Sequence, residues 1–490
     1  MKLSELLLSG LGRRGEWPDI EVTGVVQDHR LVRPGSLFIA RSGTRFDGRN
    51  YLAAARSAGA VAAVAEPSPL ITNAFMPVVT VPSAADAIAP LAAAFHGWPA
   101  RSMTVAGVTG TDGKTSTSLL LHHLLSGTFR TGLLSTVAVL SGERPLEDTY
   151  FTTPEATEVQ ARLAAMRADG CTHVVVEASS HGLAAGRLDA IDFDIGVWTN
   201  LTREHLDFHG TMEGYRDAKA LLLRRAKHAV LNRDDPWYGD FSGAAAAGHA
   251  DFGLTPGQGW WAEDVTQTPS GLGFTVHTPT GSLRAAVPML GAFNVLNSLA
   301  ALAAATRLGV DEATAVGRLA TFGGVPGRMQ VVQSEPFAVI VDFAHTAAAL
   351  TKAIAAARTV TDGRILLITG AAGERDRGKR GDMGRAAAAG ADLVFLTEED
   401  STVEPTASIL ADLAGAARAA GARHLELIED RRTAIGAAIA AARPGDLLLL
   451  AGKGGARKMD RPSGTIAWDE VAVARELLQA AGYNQGNEQR

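Results

Sequence analysis

The stretch of sequence that decides the fold runs from residue 103 to residue 125 and reads Met-Thr-Val-Ala-Gly-Val-Thr-Gly-Thr-Asp-Gly-Lys-Thr-Ser-Thr-Ser-Leu-Leu-Leu-His-His-Leu-Leu. Its beginning is typical of a buried strand, and residues 115–125 are typical of a helix. Between them lies a glycine-rich turn, whose main-chain N–H groups can converge on an anion beside the positive end of the helix. The stretch therefore predicts a strand, a phosphate-binding loop and a helix, in that order.

Two side chains of this loop point to a nucleotide and its metal. Lys114 is placed for the β- and γ-phosphates, and the Thr115 hydroxyl is placed for Mg²⁺. Val108 stands where the standard pattern has glycine, but the shorter Gly-x-x-Gly-Lys-Thr is kept. The alternative is a glycine-rich turn without a ligand, and the Lys-Thr pair at the helix start argues against it and against a dinucleotide fingerprint. The candidate ATP-binding residues of the loop are Gly110, Thr111, Asp112, Gly113, Lys114, Thr115 and Ser116.

Outside this stretch, short apolar runs alternate with alanine-rich helical patterns. Such alternation predicts α/β domains with mostly parallel sheets covered by helices. A length of 490 residues suits three domains. We expect a small N-terminal α/β domain (1–99), a central P-loop-type domain with a mostly parallel sheet (100–329) and a C-terminal Rossmann-like, doubly wound domain (330–490). Strands are predicted at 37–40, 61–65, 103–108, 172–177, 338–342, 365–369, 393–397 and 447–451.

Composition and charge exclude several classes of protein. A net charge of −6 does not suggest a nucleic-acid-binding face, which would be basic. No run of 18 uncharged apolar residues occurs, and the apolar stretch at the N-terminus is too short for a signal peptide. Cys171 is the one cysteine, so a disulfide framework is excluded. We expect a cytoplasmic protein in which Cys171 is a small core residue.

A second group of candidates combines a carboxylate with histidines. Glu177 ends the strand at 172–177 and is placed to hold a metal, with a solvated carboxylate as the alternative. His205 and His209 have the spacing of zinc ligands on a helix, but a zinc peptidase needs His before Glu, and here Glu204 comes first. A zinc peptidase is therefore rejected, while one neutral histidine remains compatible with Mg²⁺. By itself, Lys219 indicates an exposed lysine on a helix.

A basic run follows the strand predicted at 365–369 and reads Arg375-Asp-Arg-Gly-Lys-Arg380. A solvated loop would have the same composition. The position of the run, after the carboxyl end of a parallel strand, favours an anion site.

Taken together and in their order, the motifs of this chain resemble those of the Mur ligases, and among them the MurE group. The likeness extends over nearly the whole chain, and the ordered set is far more specific than any one member. It rests on Asp28-His-Arg30, Arg33-Pro-Gly-Ser-Leu-Phe-Ile-Ala40 with Asp47-Gly48, Gly110-Thr-Asp-Gly-Lys-Thr115, Thr152-Thr-Pro154, Glu177-Ala-Ser-Ser-His-Gly-Leu183, Thr199-Asn-Leu-Thr-Arg-Glu-His-Leu-Asp207, Tyr215-Arg-Asp-Ala-Lys219, Gly291-Ala-Phe-Asn-Val-Leu-Asn297, Pro326-Gly-Arg328, Asp342-Phe-Ala-His-Thr346 and Gly373-Glu-Arg-Asp-Arg-Gly-Lys-Arg380.

The resemblance implies an ATP-dependent amide-bond ligase of peptidoglycan precursor synthesis. It implies that the enzyme makes an acyl phosphate from UDP-MurNAc-L-Ala-D-Glu and joins it to a third amino acid. The first domain would bind UDP, the second would bind ATP, and the third would bind the amino acid. We expect a monomer that binds neither nucleic acid nor membrane.

The resemblance also implies roles for single residues. Mg²⁺ would be held by Thr115, Glu177, His205 and Lys219, the last as a carbamate formed with CO₂, and these ligands act with Lys114 and Arg328 in catalysis. Carbamylation requires a neutral amine, so the site must lower the lysine pKa. The remaining ATP contacts would be Asn294 and Asn297 at the adenine, Asp342 at the ribose, and Arg328 with Lys379 at the phosphates. The UDP-muramyl peptide would be held by His29, Thr44, Arg45, Thr152, Thr153, Ser179 and Arg187.

Several positions depart from the family pattern. His29 replaces a usual serine, and Ala185 replaces a usual glutamine. The acceptor-selecting motif Asp-Asn-Pro-Arg appears as Glu399-Asp-Ser-Thr402, and the late Gly-Lys-Gly-His-Glu appears as Gly452-Lys-Gly-Gly-Ala456. The candidate acceptor residues are Arg375, Glu399, Asp400, Thr402, Gly452 and Ala456.

The changed motif predicts a change of acceptor. Thr402 cannot replace an arginine that holds a distal carboxylate, and Glu398, Glu399, Asp400 and Glu404 make the loop acidic. Such a loop attracts a distal ammonium, which predicts L-lysine or L-ornithine. A solvated acidic turn is the alternative, and Arg457 with Lys458 offers a new carboxylate anchor.

Other functions share parts of this pattern. The Thr-Thr-Pro and Ser-Ser-His-Gly-Leu motifs argue against a folate polyglutamate synthetase, and a cyanophycin synthetase would carry a large additional ATP-grasp region. Two alternatives stay open: a ligase for a different amino acid, and a non-ligating paralogue that binds UDP-muramyl peptide and ATP as a regulatory module.

Overall fold

The computed structural model describes residues 1–43, 46–73, 76–146, 151–245, 248–374 and 376–483. Thr44, Arg45 and Arg375, which are predicted to bind substrates, lie outside the described residues. Three separate sheets with helices packed against them follow one another along the described part of the chain, which confirms the predicted α/β class. No helix in this part is long and apolar enough to cross a membrane.

The first sheet is small and entirely parallel. Its elements are β1 (Gly24–Val26), β2 (Ser36–Ala40), β3 (Ala62–Ala65), β4 (Val78–Thr80), α1 (Leu3–Leu11), α2 (Leu52–Ser57), α3 (Ala84–Phe95) and the short 3₁₀ turns His29–Leu31, Gly48–Tyr51, Pro69–Asn73 and Pro99–Ser102. The strands lie in the order β1-β2-β3-β4. Every residue of β2 and β3 is buried, which explains why both strands read as continuous apolar runs.

The second sheet has a parallel centre and antiparallel edges. Its strands are β5 (Thr104–Thr109), β6 (Thr131–Leu134), β7 (Val139–Ser141), β8 (Arg144–Pro145), β9 (His173–Glu177), β10 (Phe193–Trp198), β11 (Ala226–Asn232), β12 (His249–Gly253), β13 (Trp260–Thr268), β14 (Gly271–Thr278) and β15 (Gly281–Val287). Their order is β15-β14-β13-β12-β11-β10-β5-β9-β6-β7-β8. The strand that leads into the glycine-rich loop, β5, therefore lies near the middle, between β10 and β9.

Helices cover both faces of this sheet. They are α4 (Lys114–Ser126), α5 (Ala156–Ala168), α6 (Ser180–Ala184), α7 (Leu206–His209), α8 (Met212–Arg225), α9 (Tyr238–Ala244), α10 (Phe293–Arg307) and α11 (Glu312–Leu319). Helix α8 lies close to the sheet because two strand residues have no side chain. A Cβ on Gly107 would lie 2.5 Å from Leu222, and one on Gly196 would lie 3.2 Å from Leu223. This close approach brings α8 to the loop that follows β5.

The third sheet is parallel except for its first strand. The elements of this part are β16 (Gln330–Gln333), β17 (Ala338–Asp342), β18 (Ile365–Thr369), β19 (Leu393–Leu396), β20 (Leu425–Leu427), β21 (Leu447–Ala451), the hairpin β22 (Lys458–Arg461) and β23 (Gly464–Ala467), and the helices α12 (Ala347–Arg358), α13 (Gly378–Gly390), α14 (Thr406–Ala419), α15 (Arg431–Ala441) and α16 (Glu470–Ala480). The strand order β16-β17-β21-β18-β19-β20 puts the ends of β17, β21, β18 and β19 at one edge. Ligands of doubly wound sheets bind at such an edge.

The predicted strands agree with these elements within one residue at either end. Three of them, at 338–342, 365–369 and 447–451, have the predicted bounds. Cys171 is buried at 4% exposure in an apolar cluster, as expected of a small core residue.

Candidate active site

The phosphate loop, residues 110–116, has a conformation that depends on two glycines. Gly110 has φ 149° and Gly113 has φ 83°, in the region that favours glycine. A Cβ on Gly110 would lie 1.9 Å from the Thr199 hydroxyl, and one on Gly113 would lie 2.3 Å from the Asn297 side-chain oxygen. Any other residue at either position would therefore distort the loop or push its neighbours away.

Lys114 is the first residue of α4 and is half-buried. Its ammonium folds back over the loop and donates to the carbonyl oxygens of Gly110 at 3.0 Å and Thr111 at 2.7 Å. The charge is thus held against the main chain of the phosphate loop, at the start of α4. This is the arrangement expected of a lysine that neutralises phosphate oxygens.

Glu177 ends β9 and is buried at 1% exposure, so the alternative of a solvated carboxylate is wrong. Its Oε1 accepts from the Thr115 hydroxyl at 2.9 Å. Its Oε2 accepts from the Ser135 hydroxyl at 2.5 Å and from the Thr136 main-chain N–H at 3.0 Å. Three of the four hydrogen bonds to this carboxylate thus come from the turn after β6 and one comes from the phosphate loop, which fixes the carboxylate beside Thr115.

Lys219 lies on α8 as predicted, but it is not exposed: its exposure is 1%. Its Nζ donates to the carbonyl oxygen of Gly110 at 2.6 Å and lies 4.3 Å from the centre of the Tyr215 ring. Burial and then the nearby charge of Lys114 lower the pKa of Lys219 well below its ordinary value. The expectation of an exposed lysine fails because Gly107 and Gly196 let α8 approach the sheet.

The two histidines of the zinc-like pair do not share a helix as ligands would. His205 precedes α7 with φ 55°, and His209 ends that short helix with its Nε2 3.0 Å from the Ser180 hydroxyl. Burial lowers the pKa of His205 to about 4, which keeps its imidazole neutral at pH 7. Among the described residues, no group of three or more His, Cys, Asp or Glu side chains is placed to hold a metal ion.

The segment after β10 meets the third sheet through residues that follow β17. His345 donates from Nε2 to Glu204 Oε1 at 3.0 Å and from Nδ1 to the Phe343 carbonyl oxygen at 2.9 Å. Burial opposes charge on this pair, but the mutual bond dominates: it raises the pKa of His345 and holds the pKa of Glu204 well below its usual range. Lys379 Nζ donates to the His345 carbonyl oxygen at 3.1 Å, which places the basic run at the same edge.

Arg328 lies between the second and third sheets. Its guanidinium is 3.9 Å from the centre of the Phe343 ring and 3.5 Å from the Thr115 hydroxyl. Asp342, at the end of β17, is buried, and its carboxylate accepts from the main-chain N–H groups of Met329 and Ala344, each at 2.8 Å. Arg328 therefore borders the phosphate loop, and Asp342 holds the main chain next to it.

The two asparagines of α10 are buried behind the same loop. Asn294 donates to the Leu290 carbonyl oxygen, and Asn297 donates to the Asn294 side-chain oxygen, both at 2.8 Å. The other contact of Asn297 is with the Thr117 hydroxyl at 3.4 Å. In this geometry the Asn297 amide supports Gly113 from behind.

The residues predicted for the muramyl peptide are divided between two places. His29 stacks on Tyr51 in the first sheet, with ring centroids 4.2 Å apart. Thr153 and Ser179 are joined hydroxyl to hydroxyl at 3.0 Å, directly after β9. Thr152 lies 3.0 Å from the Thr136 hydroxyl, beside Glu177.

Arg187 connects this group to the first sheet. It donates to the Thr153 carbonyl oxygen at 2.8 Å and to Glu155 Oε1 at 2.6 Å, and Gln27 donates to the other oxygen of Glu155 at 2.7 Å. Gln27 and Glu155 were not predicted from the sequence. Nothing in their local pattern distinguishes them, because the pair joins residues 128 positions apart.

The acceptor loops, residues 398–404 and 452–456, follow β19 and β21. The first loop is acidic in sequence, as predicted, but three of its four acidic residues are paired with cations. Glu398 pairs with Arg461, Asp400 pairs with Lys453 at 2.7 Å, and Glu404 pairs with Arg380 at 2.7 Å. The loop is not a solvated turn either, because Glu398, Glu399 and Glu404 are all at most 7% exposed.

Glu399 differs from its acidic neighbours. Its Oε2 is buried and accepts no hydrogen bond from any described residue. A Cβ on Gly452 would lie 3.3 Å from this oxygen, so the two acceptor loops meet there. Thr402 has φ 52° and directs its hydroxyl to the Ser401 carbonyl oxygen at 2.7 Å. Ala456 lies half-buried at the end of the second loop.

The basic residues after the second loop are also paired. Arg457 contacts Asp469 at 2.5 Å, and Lys458 contacts Asp460 at 3.3 Å. Both residues are therefore occupied by carboxylates of the protein, which does not agree with the predicted anchor for a carboxylate of the substrate. Sequence analysis also missed the Glu204–His345 contact, although both residues stand in quoted motifs, because it joins parts of the chain 141 residues apart.

Magnesium fits the residues beside the phosphate loop. Mg²⁺ is usually held by one or two carboxylates together with substrate phosphates rather than by a complete protein cage. The Thr115 hydroxyl and the Glu177 carboxylate lie 2.9 Å apart, and the neutral His205 lies near Glu204. Burial and the nearby charge of Lys114 lower the pKa of Lys219, which favours the neutral amine that carbamylation requires.

Comparisons with known proteins agree along the whole chain. Three family models match in succession: "Mur ligase family, catalytic domain" at residues 21–96, "Mur ligase middle domain" at 108–305 and "Mur ligase, glutamate ligase domain" at 327–454. A UDP-N-acetylmuramyl-tripeptide synthetase of Deinococcus radiodurans is 45% identical over 94% of this chain and 95% of its own length. A UDP-N-acetylmuramoyl-L-alanyl-D-glutamate–2,6-diaminopimelate ligase of Gloeobacter violaceus is 41% identical over 98% of both chains. A solved structure of a ligase with the latter name has a TM-score of 0.69 and 31% identity, and covers 99% of this chain and 100% of that one.

Proposed function

Because the chain belongs to the Mur ligase family, we propose that it adds the third amino acid to UDP-MurNAc-L-Ala-D-Glu in peptidoglycan precursor synthesis. The chain is an ATP-dependent ligase of the MurE type. The observation that carries the proposal is the contact between the central and C-terminal parts of the chain beside the phosphate loop: Arg328, before β16, approaches Thr115, and His345, after β17, binds Glu204.

In the proposed first step, the D-Glu carboxylate attacks the γ-phosphorus of ATP. A carboxylate oxygen–phosphorus bond forms, the bond from phosphorus to the β-phosphate oxygen breaks, and ADP leaves. The two reactants are both anions, so Lys114 and Arg328 act by electrostatics and positioning. Mg²⁺, held by Thr115, Glu177, His205 and the carbamate of Lys219, would supply further positive charge at the phosphates.

In the second step, the amine of the incoming amino acid attacks the acyl carbon. The amide bond forms, phosphate leaves with the electron pair of the broken carbon–oxygen bond, and the amine loses a proton. Water would hydrolyse the acyl phosphate, so the approach of the third sheet to the phosphate loop protects the intermediate. The His345–Glu204 and Lys379–His345 contacts support this approach.

The carbamate on Lys219 is tested by its removal. Lys219→Ala should be nearly inactive, and short-chain carboxylic acids should restore part of its activity by replacing the missing anion. Lys227→Ala is the matched control, since Lys227 is an exposed lysine that pairs with Asp194. An active Lys219→Ala protein, or an unmodified Lys219 in an experimental density map, would contradict the carbamate.

We further propose that the added amino acid is L-lysine or L-ornithine. Support comes from Thr402 in the place of an arginine and from Glu399, whose buried Oε2 accepts no hydrogen bond from the described residues. A distal ammonium would neutralise that oxygen, whereas a distal carboxylate would be repelled by it. Among the acidic residues of this loop, Glu399 would carry the selectivity, because Glu398, Asp400 and Glu404 are compensated by Arg461, Lys453 and Arg380.

The experiment is a competition. Equal amounts of L-lysine, L-ornithine and meso-diaminopimelate are supplied with ATP and UDP-MurNAc-dipeptide, and the products are separated by mass spectrometry. We expect incorporation of L-lysine or L-ornithine. Preferential incorporation of diaminopimelate would show that Glu399 does not select the acceptor.

The division of work among the domains is part of this proposal. Residues 1–99 would bind the UDP group, residues 100–329 would bind ATP, and residues 330–490 would bind the amino acid; the three separate sheets support these limits. The substrates place the proposed monomer in the cytoplasm, where ATP is available. The comparisons lend no support to a non-ligating regulatory paralogue.

A further inference from the structure

A fully buried ion pair lies behind the acceptor loops. Arg431 and Glu470 are the first residues of α15 and α16, and both are 0% exposed. Their side chains form a bidentate pair, with Nε and Nη2 of the arginine 2.6–3.0 Å from the carboxylate oxygens. Trp468 Nε1 donates to the same carboxylate at 2.6 Å. The carboxylate is therefore held on two sides.

The same guanidinium also binds the main chain where both acceptor loops begin. Its Nη1 donates to the Glu398 carbonyl oxygen at 3.2 Å, and its Nη2 donates to the Ala451 carbonyl oxygen at 2.8 Å. The main-chain N–H of Arg431 donates to Glu398 Oε1 at 3.1 Å. One residue thus ties together the ends of β19 and β21, which β18 separates in the sheet.

The next residue of each loop belongs to the candidate acceptor site. Glu399 follows Glu398, Gly452 follows Ala451, and a Cβ on Gly452 would lie 3.3 Å from Glu399 Oε2. We propose that Arg431, oriented by Glu470 and Trp468, is a positioning residue that sets the distance between Glu399 and Gly452, and with it the affinity and chain-length selectivity for the amino acid. The inference rests on the proposed function only in taking this junction as the acceptor site.

Stability alone is a poor explanation of the pair. Removing two charges from water is costly, and apolar residues of similar size often serve as well or better in a core. What an apolar residue cannot do is donate to two carbonyl oxygens and a carboxylate at fixed angles. The planar guanidinium has five donors for this purpose, and lysine has one rotating ammonium.

The test compares Arg431→Lys and Trp468→Phe in the full-length enzyme. Arg431→Lys keeps the positive charge but loses the planar set of guanidinium donors. Trp468→Phe keeps an aromatic ring but loses the N–H group that donates to Glu470. The matched control is Arg432→Ala, which removes an exposed ion pair between the same two helices, with Glu476 at 2.8 Å. KM and kcat are measured with the amino acid that the wild type incorporates.

We expect KM for the amino acid to rise about tenfold in Arg431→Lys and about threefold in Trp468→Phe, while kcat and the KM values of ATP and UDP-MurNAc-dipeptide stay within about twofold. The ratio of kcat/KM for L-lysine to that for L-ornithine should move toward one in both variants. The control should match the wild type.

Two results would overturn the positioning role: an unchanged KM for the amino acid in both folded variants, or equal increases in all three KM values. If Arg431→Lys does not fold, Trp468→Phe decides the question. A wild type that adds diaminopimelate would disprove the proposed acceptor, whereas KM for diaminopimelate in the same variants would still test the positioning role.

Discussion

The phosphate loop and the acceptor loops both follow the carboxyl ends of parallel strands, but they handle charge in different ways. In the phosphate loop, Lys114 and Lys219 have no carboxylate partner among the described residues and donate instead to main-chain oxygens of the loop. In the acceptor loops, Glu398, Asp400 and Glu404 are paired with buried or partly buried cations.

This difference shows that the conformation of a loop can be inferred from its sequence motif, whereas its net charge in the folded protein cannot. The phosphate loop depends on backbone conformation, which its own glycines and the lysine at the helix start determine. The charge of the acceptor loops depends on side chains that come from distant parts of the chain. A run of acidic residues therefore says little about the field that a substrate meets, because partners such as Arg461 and Lys453 lie more than fifty positions away.

The largest effect on ligation activity is expected from a substitution in the phosphate loop. Lys114→Ala removes a cation at the β- and γ-phosphates, and we expect ligation to fall by about a thousandfold, the range found for loss of one electrostatic stabiliser. Circular dichroism and thermal unfolding should be close to those of the wild type. Near-normal turnover in a folded Lys114→Ala protein would show that this lysine has no role in phosphate transfer. The contrast between the phosphate loop and the acceptor loops would then no longer hold.

An intermediate effect on activity is expected at Glu399, whose buried Oε2 accepts no hydrogen bond from any described residue. Glu399→Gln should raise KM for L-lysine or L-ornithine about tenfold to a hundredfold, since a charged hydrogen-bonded pair contributes about 1.5–3 kcal/mol. KM for ATP should not change. Glu426→Gln, on the exposed face of β20, is the matched control. Equal KM values for the amino acid in wild type and Glu399→Gln would mean that this carboxylate, like its paired neighbours, does not contribute to binding of the amino acid.

The smallest effect on activity should come from a paired acidic residue. The hydrogen bond from Arg380 lowers the pKa of Glu404 from 4.5 to about 2, although burial opposes this shift. The pair therefore stabilises the folded protein above about pH 4.5, and this stabilisation is lost as the pH falls through about 2.

At pH 7, Glu404→Gln should have a free energy of unfolding about 2 kcal/mol lower than the wild type, with KM for the amino acid nearly unchanged. The stability gap should narrow as the pH is lowered below 4.5 toward 2. Denaturant unfolding of the wild type and of Glu404→Gln at several pH values measures this difference in the free energy of unfolding. A difference in the free energy of unfolding that stays constant with pH would show that the Glu404–Arg380 pair does not stabilise the fold as described. A large rise in KM for the amino acid would show that Glu404 also takes part in binding the substrate.

Much of the architecture was predictable because it follows from local patterns. The strands at 338–342, 365–369 and 447–451 are buried on both faces, so their sequences are continuous apolar runs. The phosphate loop was predictable for a related reason, since its glycines and Lys114 form one short segment.

The rest of the site required distances that a sequence does not contain. Lys219 looked like an exposed helix residue, and only the missing side chains of Gly107 and Gly196 bring its helix against the sheet. The family resemblance names Lys219 as a site candidate but gives no physical reason for its burial. The ion pairs of Glu398 and Asp400 likewise depend on how separate loops fold against each other.

One contact has a consequence for exchanging specificity between members of the family. Gly327, in the linker between the second and third sheets, lies so close to the second acceptor loop that its Cβ would be 1.9 Å from the Gly455 nitrogen. In the other direction, a Cβ on residue 455 would be 2.9 Å from the Pro326 carbonyl oxygen. The family's usual histidine at 455 would therefore force this linker to move. Because Pro326-Gly327-Arg328 already follows the family pattern, a chimera that imports that motif must change the path of the linker main chain and not its residues.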